Sequence, residues 1–89
     1  SAADVKNGKP DPDLFLYAAE KLNAPPEKCA VIEDSIPGVR AGISAGMTVF
    51  GYLCKSSHNE AEFNTLLDKM KGLGANVFFD MNMLPKLLQ

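Results

Sequence analysis

Two apolar runs, "CAVIE" at 29–33 and "MTVFGYL" at 47–53, bracket the segment "SIPGVRAGISAG" at 35–46. The runs are continuous rather than alternating, which is the pattern of strands covered on both faces. The segment between them reads as a helix. Ser35 or Ile36 stands near its cap, Pro37 falls in its first turn, and Gly46 supplies a stop. A strand–helix–strand unit of this size joins parallel neighbours through a right-handed crossover. The unit recurs downstream. "EAEFNTLLDKM" at 60–70 places Phe63, Leu66, Leu67 and Met70 on one helical face, and "NVFFD" at 76–80 is a third apolar run. Upstream, "DPDLFLYAAEKLN" at 11–23 predicts a helix with Asp11 as cap, Pro12 in the first turn, and Phe15, Ala18, Ala19 and Leu22 on one face. "APPEK", "CKSSHN" and "KGLGA" read as connections, the opening "SAADVKNGKP" as polar loop, and "MNMLPKLLQ" as a closing helix weakened by Pro85. The expected fold class is α/β: a Rossmann-like parallel sheet with helices on both faces, here an incomplete core of about three strands.

Composition narrows the function classes. The chain has 89 residues and a 46% hydrophobic share, enough for one small packed core. A net charge of −2 gives no electrostatic case for nucleic acid or an anionic membrane as partner. No apolar run approaches the roughly 20 residues of a bilayer span. The opening stretch lacks the apolar centre of a signal peptide, so a cytoplasmic location is expected. Cys29 and Cys54 have no C-x-x-C spacing and read as reduced thiols in or near the core. His58 is the single histidine, which excludes a histidine-based triad and a multi-histidine zinc site.

The chemistry concentrates at two places. Glu33 and Asp34 close the strand "CAVIE", and in open α/β sheets ligands bind beyond the carboxyl ends of the strands. Taken alone, the pair fits either a solvated strand end leading into a helix cap or a Mg²⁺ site. A hard dication would offset the repulsion of adjacent carboxylates. Lys9 lies in "NGKPDPDLF", between Gly8 and Pro10 and just ahead of a helix. It reads either as an exposed lysine or as an ammonium that neutralises a phosphate and an anionic nucleophile together.

The combination "VKNGKPDPDLFLYAAEKLN" followed by "CAVIEDSIPGVRAGISAGM" resembles the carboxyl-terminal half of the haloacid dehalogenase-like superfamily, nearest its phosphatase and β-phosphoglucomutase-like branch. The matching positions are Lys9, Pro10, Pro12, Asp13, Glu33, Asp34, Ser35, Gly38, Ala41, Gly42, Ala45, Gly46 and Met47. "GLGANVFFDMNMLPKLL" is similar to the usual ending of such chains. The resemblance implies that Lys9 is a catalytic and substrate-binding residue that holds the transferring phosphoryl group and the nucleophile. It implies Asp34 as a direct Mg²⁺ ligand, Glu33 as a ligand or as the residue orienting a metal-bound water, and Ser35 as a support or cap. The implied reaction is phosphate-ester hydrolysis of small phosphorylated metabolites, such as sugar phosphates, through an aspartyl-phosphate.

The family's nucleophile stands in a D-x-D-G-T-like motif, which this sequence does not contain. "DPD" at 11–13 lacks the following Gly-Thr and the preceding apolar strand. The family's second motif and its cap domain are also missing. Residues 1–89 are therefore expected to be the carboxyl-terminal part of a core domain. Its partner would be the amino-terminal half of the same enzyme, and alone it would be inactive. Three alternatives stay open: a phosphomutase, a hydrolase of carbon–phosphorus or carbon–halogen bonds, and a non-catalytic metal-binding or assembly fragment. The carbon–halogen option is the weaker, since it needs no metal and the acid pair looks like a metal pair. In the family's sheet the nucleophile strand lies beside the strand that ends in the acid pair. "CAVIE" would then be an open edge.

Overall fold

A computed structural model describes residues 5–89. The part of the expected polar opening that falls on residues 1–4 lies outside the described residues. The elements are α1 (Asp13–Lys21), β1 (Ala30–Glu33), α2 (Ile36–Ser44), β2 (Thr48–Tyr52), α3 (Glu60–Leu73), β3 (Asn76–Phe78) and α4 (Leu84–Leu87). Single 3₁₀ turns precede β1 at Pro26–Lys28, α3 at Lys55–Ser57 and α4 at Met81–Met83.

The three strands form one parallel sheet in the order β1-β2-β3. Ala30 pairs with Thr48 and Glu33 with Gly51, while Phe50 pairs with Asn76 and Tyr52 with Phe78. The fold is the Rossmann-like α/β arrangement that the strand–helix–strand pattern predicts. All strands run the same way, so Glu33-Asp34, Tyr52-Leu53 and Phe78-Phe79 gather at one end of the sheet.

Alternation along the strands sorts the side chains. Val31, Val49, Leu53 and Val77 join Val39 of α2 and Met70 of α3 in the main core. Leu53, Met70, Val39 and Val49 are the largest fully buried side chains. Each contributes about 1.5–3 kcal/mol by leaving water. Helix α1 packs against α2. Its Ala19 sits with Ala45 and Met47, and Phe15, Cys29 and Val31 surround them. Both core groups therefore meet at Val31, one residue pair before the acids.

Element ends follow local chemistry, with three differences from the sequence reading. Helix α1 takes Pro12 as its N-cap and has no side-chain cap. Asp11 instead donates its backbone N–H to the Gly8 carbonyl at 3.0 Å, closing a turn, so it is not the cap. Helix α3 runs three residues beyond Met70, through Gly72, and ends where Gly74 adopts φ 100. A glycine inside a helix costs only about 1 kcal/mol. The left-handed conformation of Gly74 is what stops the helix. Pro85 falls in the first turn of α4, a position that suits proline, and so does not weaken it. The cap of α2 matches expectation: Ser35 Oγ accepts from the Gly38 N–H at 3.1 Å.

Strand β1 is one of the two sheet edges and pairs only with β2 among the described residues. Ile32, midway along it, is 43% exposed. Open parallel edges recruit other strands. The isolated 89-residue chain is therefore expected to self-associate. Static light scattering across a concentration series should give a weight-average mass that rises with concentration. A constant monomer mass at high concentration would show that this edge is not sticky.

Candidate active site

Glu33 is the last residue of β1, and Ser35 is the N-cap of α2. The two acids thus occupy the short hinge from strand to helix. The geometry follows from sequence: β-branched Val31 and Ile32 extend the chain, and the Ser35 cap with Pro37 turns it into a helix. The hinge separates the acids in role. Glu33 folds back over the first turn of α2 and is only 12% exposed. Asp34 remains exposed, and its carboxylate has no hydrogen bond or ion pair among the described residues. A cavity of about 280 Å³ opens beside them, lined by Ile32, Glu33, Asp34, Tyr52 and Met81.

Lys9 reaches this hinge from a loop 24 residues upstream. Its Nζ donates to Glu33 Oε2 at 2.9 Å. The loop is tied down on both sides of the lysine. The Asn7 N–H donates to Asp13 Oδ2 at 3.1 Å, and the Gly8 carbonyl accepts from Asp11. The Lys9 ammonium also lies 5.3 Å from the centroid of the Phe15 ring. Phe15 is anchored in the Ala19–Ala45–Met47 group, so a core-supported ring carries the cation. Such a contact contributes about 0.5–1 kcal/mol at an exposed site. The structure therefore brings Lys9 and Glu33 into contact and sets Asp34 next to them. Lys9 does not border the Asp34 cavity and meets the acid pair only through Glu33.

Two carboxylates and one ammonium leave the hinge with a local excess of one negative charge. Hard carboxylate oxygens with room for water ligands suit Mg²⁺, which is often held by one or two protein carboxylates. Among the described residues no cluster of three or more His, Cys, Asp or Glu side chains forms, so the donor set is this partial one. Asp34, exposed and with no hydrogen bond or ion pair among the described residues, fits direct coordination. Glu33 has Oε2 committed to Lys9 and fits a shared or indirect role.

Three features escaped the sequence reading. Phe15 sits at core spacing, and nothing in the pattern marks it as the ring beneath Lys9. Gly38 is among the positions that carry the family resemblance, but nothing in the sequence says what its missing side chain leaves room for. Cys54 was expected in or near the core. Cys29 does pack against the Ala19–Ala45–Met47 group, whereas the Cys54 Sγ lies 3.2 Å from Ser56 Oγ at the surface. Both cysteines are free. Hydrogen bonds from Ser56 first, then Ser57 and Tyr52, favour the thiolate and pull the Cys54 thiol down to about 6. The same contact pushes the Tyr52 phenol up. The 3₁₀ turn Lys55–Ser57 assembles this group, and no spacing rule signals it.

The family model for haloacid dehalogenase-like hydrolases matches residues 1–46, which hold the Lys9 loop, the acid hinge and α2. The chain belongs to this hydrolase family. A 6-phosphogluconate phosphatase of Escherichia coli is 43% identical over 60 residues, covering 67% of this chain and 27% of its own length. A β-phosphoglucomutase of Bacillus subtilis is 54% identical over 47 residues, covering 53% of this chain and 21% of its own. A family hydrolase from Deinococcus radiodurans, crystallised with bound phosphate and sodium, superposes with a TM-score of 0.73 at 37% identity. That superposition covers 92% of this chain and 34% of the other. The chain thus spans about a quarter of the curated relatives it matches and about a third of the solved structure.

Proposed function

We propose that residues 1–89 form the carboxyl-terminal part of the core domain of a Mg²⁺-dependent phosphatase acting on small phosphorylated metabolites, sugar phosphates among them. The observation that carries this reading is the 2.9 Å contact between Lys9 Nζ and Glu33 Oε2 beside the open Asp34 carboxylate, at the carboxyl end of a parallel strand. The relatives named above support the substrate class. In this reading the nucleophilic aspartate and the substrate-selecting cap belong to the rest of the enzyme, and 89 residues alone are inactive. The location is the cytoplasm. Among the described residues, no helix is long and apolar enough to cross a membrane.

The residues act as follows. Asp34 would hold Mg²⁺ directly, with Glu33 in a shared or indirect role. Bound there, Mg²⁺ would supply the positive charge that offsets the charge of the phosphate. Lys9, fixed by Glu33 and Phe15, presents a point charge to the phosphoryl oxygens and to the nucleophile. It stabilises charge as the nucleophile displaces the ester oxygen and again as water displaces the carboxylate. Neither Lys9 nor the acid pair attacks phosphorus. They position and neutralise.

The test is phosphate release by the full-length protein from a panel of sugar phosphates. Release with Mg²⁺ and loss of release with excess EDTA are expected. Turnover that is indifferent to EDTA would remove the metal from the reading, and no release from any ester would remove the phosphatase. The β-phosphoglucomutase relative favours a second reading, a phosphomutase. Product analysis separates the two, since a mutase returns an isomerised sugar phosphate and little free phosphate.

A further inference from the structure

We propose that Gly38 is the positioning residue of the Lys9–Glu33 pair, which rests on the active-site reading above. Gly38 lies in the first turn of α2 and is buried. A Cβ built there would overlap Oε1 and Cδ of Glu33 and lie 2.9 Å from its Cγ. The Glu33 carboxylate therefore occupies the space that any other residue's side chain would fill. Its second oxygen, Oε2, is the one that receives the Lys9 ammonium. The missing Cβ is thus the seat of the carboxylate, and the carboxylate fixes the lysine. The same turn is locked by Ser35, whose Oγ binds the Gly38 N–H, so the seat has little freedom to shift. The three nearest atoms to the added Cβ all belong to Glu33. They also form the end of a flexible side chain, which can swing away. Gly38→Ala should therefore fold, and alanine is the better helix former. Its cost falls on geometry: the carboxylate leaves its seat and Lys9 loses its anchor.

Two measurements on the full-length protein test this. The first is kinetic. Gly38→Ala should keep or raise Tm and lower kcat by about a hundredfold, the cost of a displaced catalytic group. In a Glu33→Ala background the seat is empty, so adding Gly38→Ala should change kcat by less than about twofold. An equal loss in both backgrounds, or a wild-type kcat in Gly38→Ala, overturns the inference. The second measurement is independent of turnover. Carbodiimide coupling should join the Lys9 amine to the Glu33 carboxylate as an amide, detected by peptide mass mapping, and Gly38→Ala should lose that product. An undiminished cross-link in Gly38→Ala overturns the inference. Should Lys9→Ala and Glu33→Ala both keep wild-type turnover, the active-site reading fails. The cross-link still decides whether Gly38 seats the pair.

Discussion

Replacing Asp34 with asparagine is expected to abolish turnover of the full-length protein and to weaken Mg²⁺ binding by more than about a hundredfold, since loss of an outer-shell partner alone costs 10–100-fold. The substitution changes charge and hardly changes shape. Asp34 is exposed and makes no hydrogen bond or ion pair among the described residues, so its loss should leave Tm unchanged. What it removes is the open hard-oxygen donor of the hinge, and a neutral amide is a poorer ligand for a hard dication. Glu33→Gln should do less. The glutamine carbonyl can still accept from Lys9, and Oε2 is the oxygen already engaged at 2.9 Å. Isothermal titration with Mg²⁺, together with phosphate release, checks the ordering. Wild-type affinity and wild-type turnover in Asp34→Asn would remove the metal assignment.

The element order was legible because each strand is a continuous apolar run and each helix has its own punctuation. Ser35, Pro37 and Gly46 mark α2 in the sequence, and the structure uses Ser35 as cap and Gly46 at φ 79. The boundaries that misled are those where two glycines or two acids compete. Gly72 and Gly74 both offer a stop, and only the backbone shows that Gly74 takes the left-handed turn. Asp11 and Asp13 both stand near a helix start, yet Asp13 ties back to Asn7 and Asp11 closes a turn. Lys9, Glu33 and Asp34 were singled out together through the family resemblance, and the structure brings Lys9 and Glu33 into contact with Asp34 next in the chain. That direct contact was not legible, since it depends on how the loop packs across α1. Phe15 was hidden because an aromatic at helical spacing predicts core equally well, and here it serves both core and ammonium. Gly38 was hidden because its role is the absence of a side chain, and only an occupied neighbouring volume reveals that.

Lys9→Ala is expected to cut kcat of the full-length protein by at least about a hundredfold, the usual cost of losing one charge-stabilising donor. The structure says why the loss should fall on kcat more than on folding. The Lys9 side chain is 34% exposed, and among the described residues its ammonium meets Glu33 Oε2 and the Phe15 ring. Removing it leaves Glu33 beside the first turn of α2, where a negative charge is tolerated, so the fold keeps its main core. It also takes from Glu33 its cation partner among the described residues. An incoming phosphate dianion then meets less compensating positive charge, and the penalty grows as charge develops in the transition state. Lys9→Arg should restore little. The 2.9 Å distance from Nζ to Oε2 suits a compact ammonium over the ring of a core-held phenylalanine. A planar guanidinium would engage Glu33 through its fork and direct less of its charge outward. Steady-state kinetics on the lysine, arginine and alanine forms decide the matter. The expected order is wild type far above Lys9→Arg, with Lys9→Ala lowest and all three sharing one Tm within a few degrees. Full activity in Lys9→Ala would mean that the ammonium serves only to neutralise Glu33 and takes no part in phosphoryl transfer.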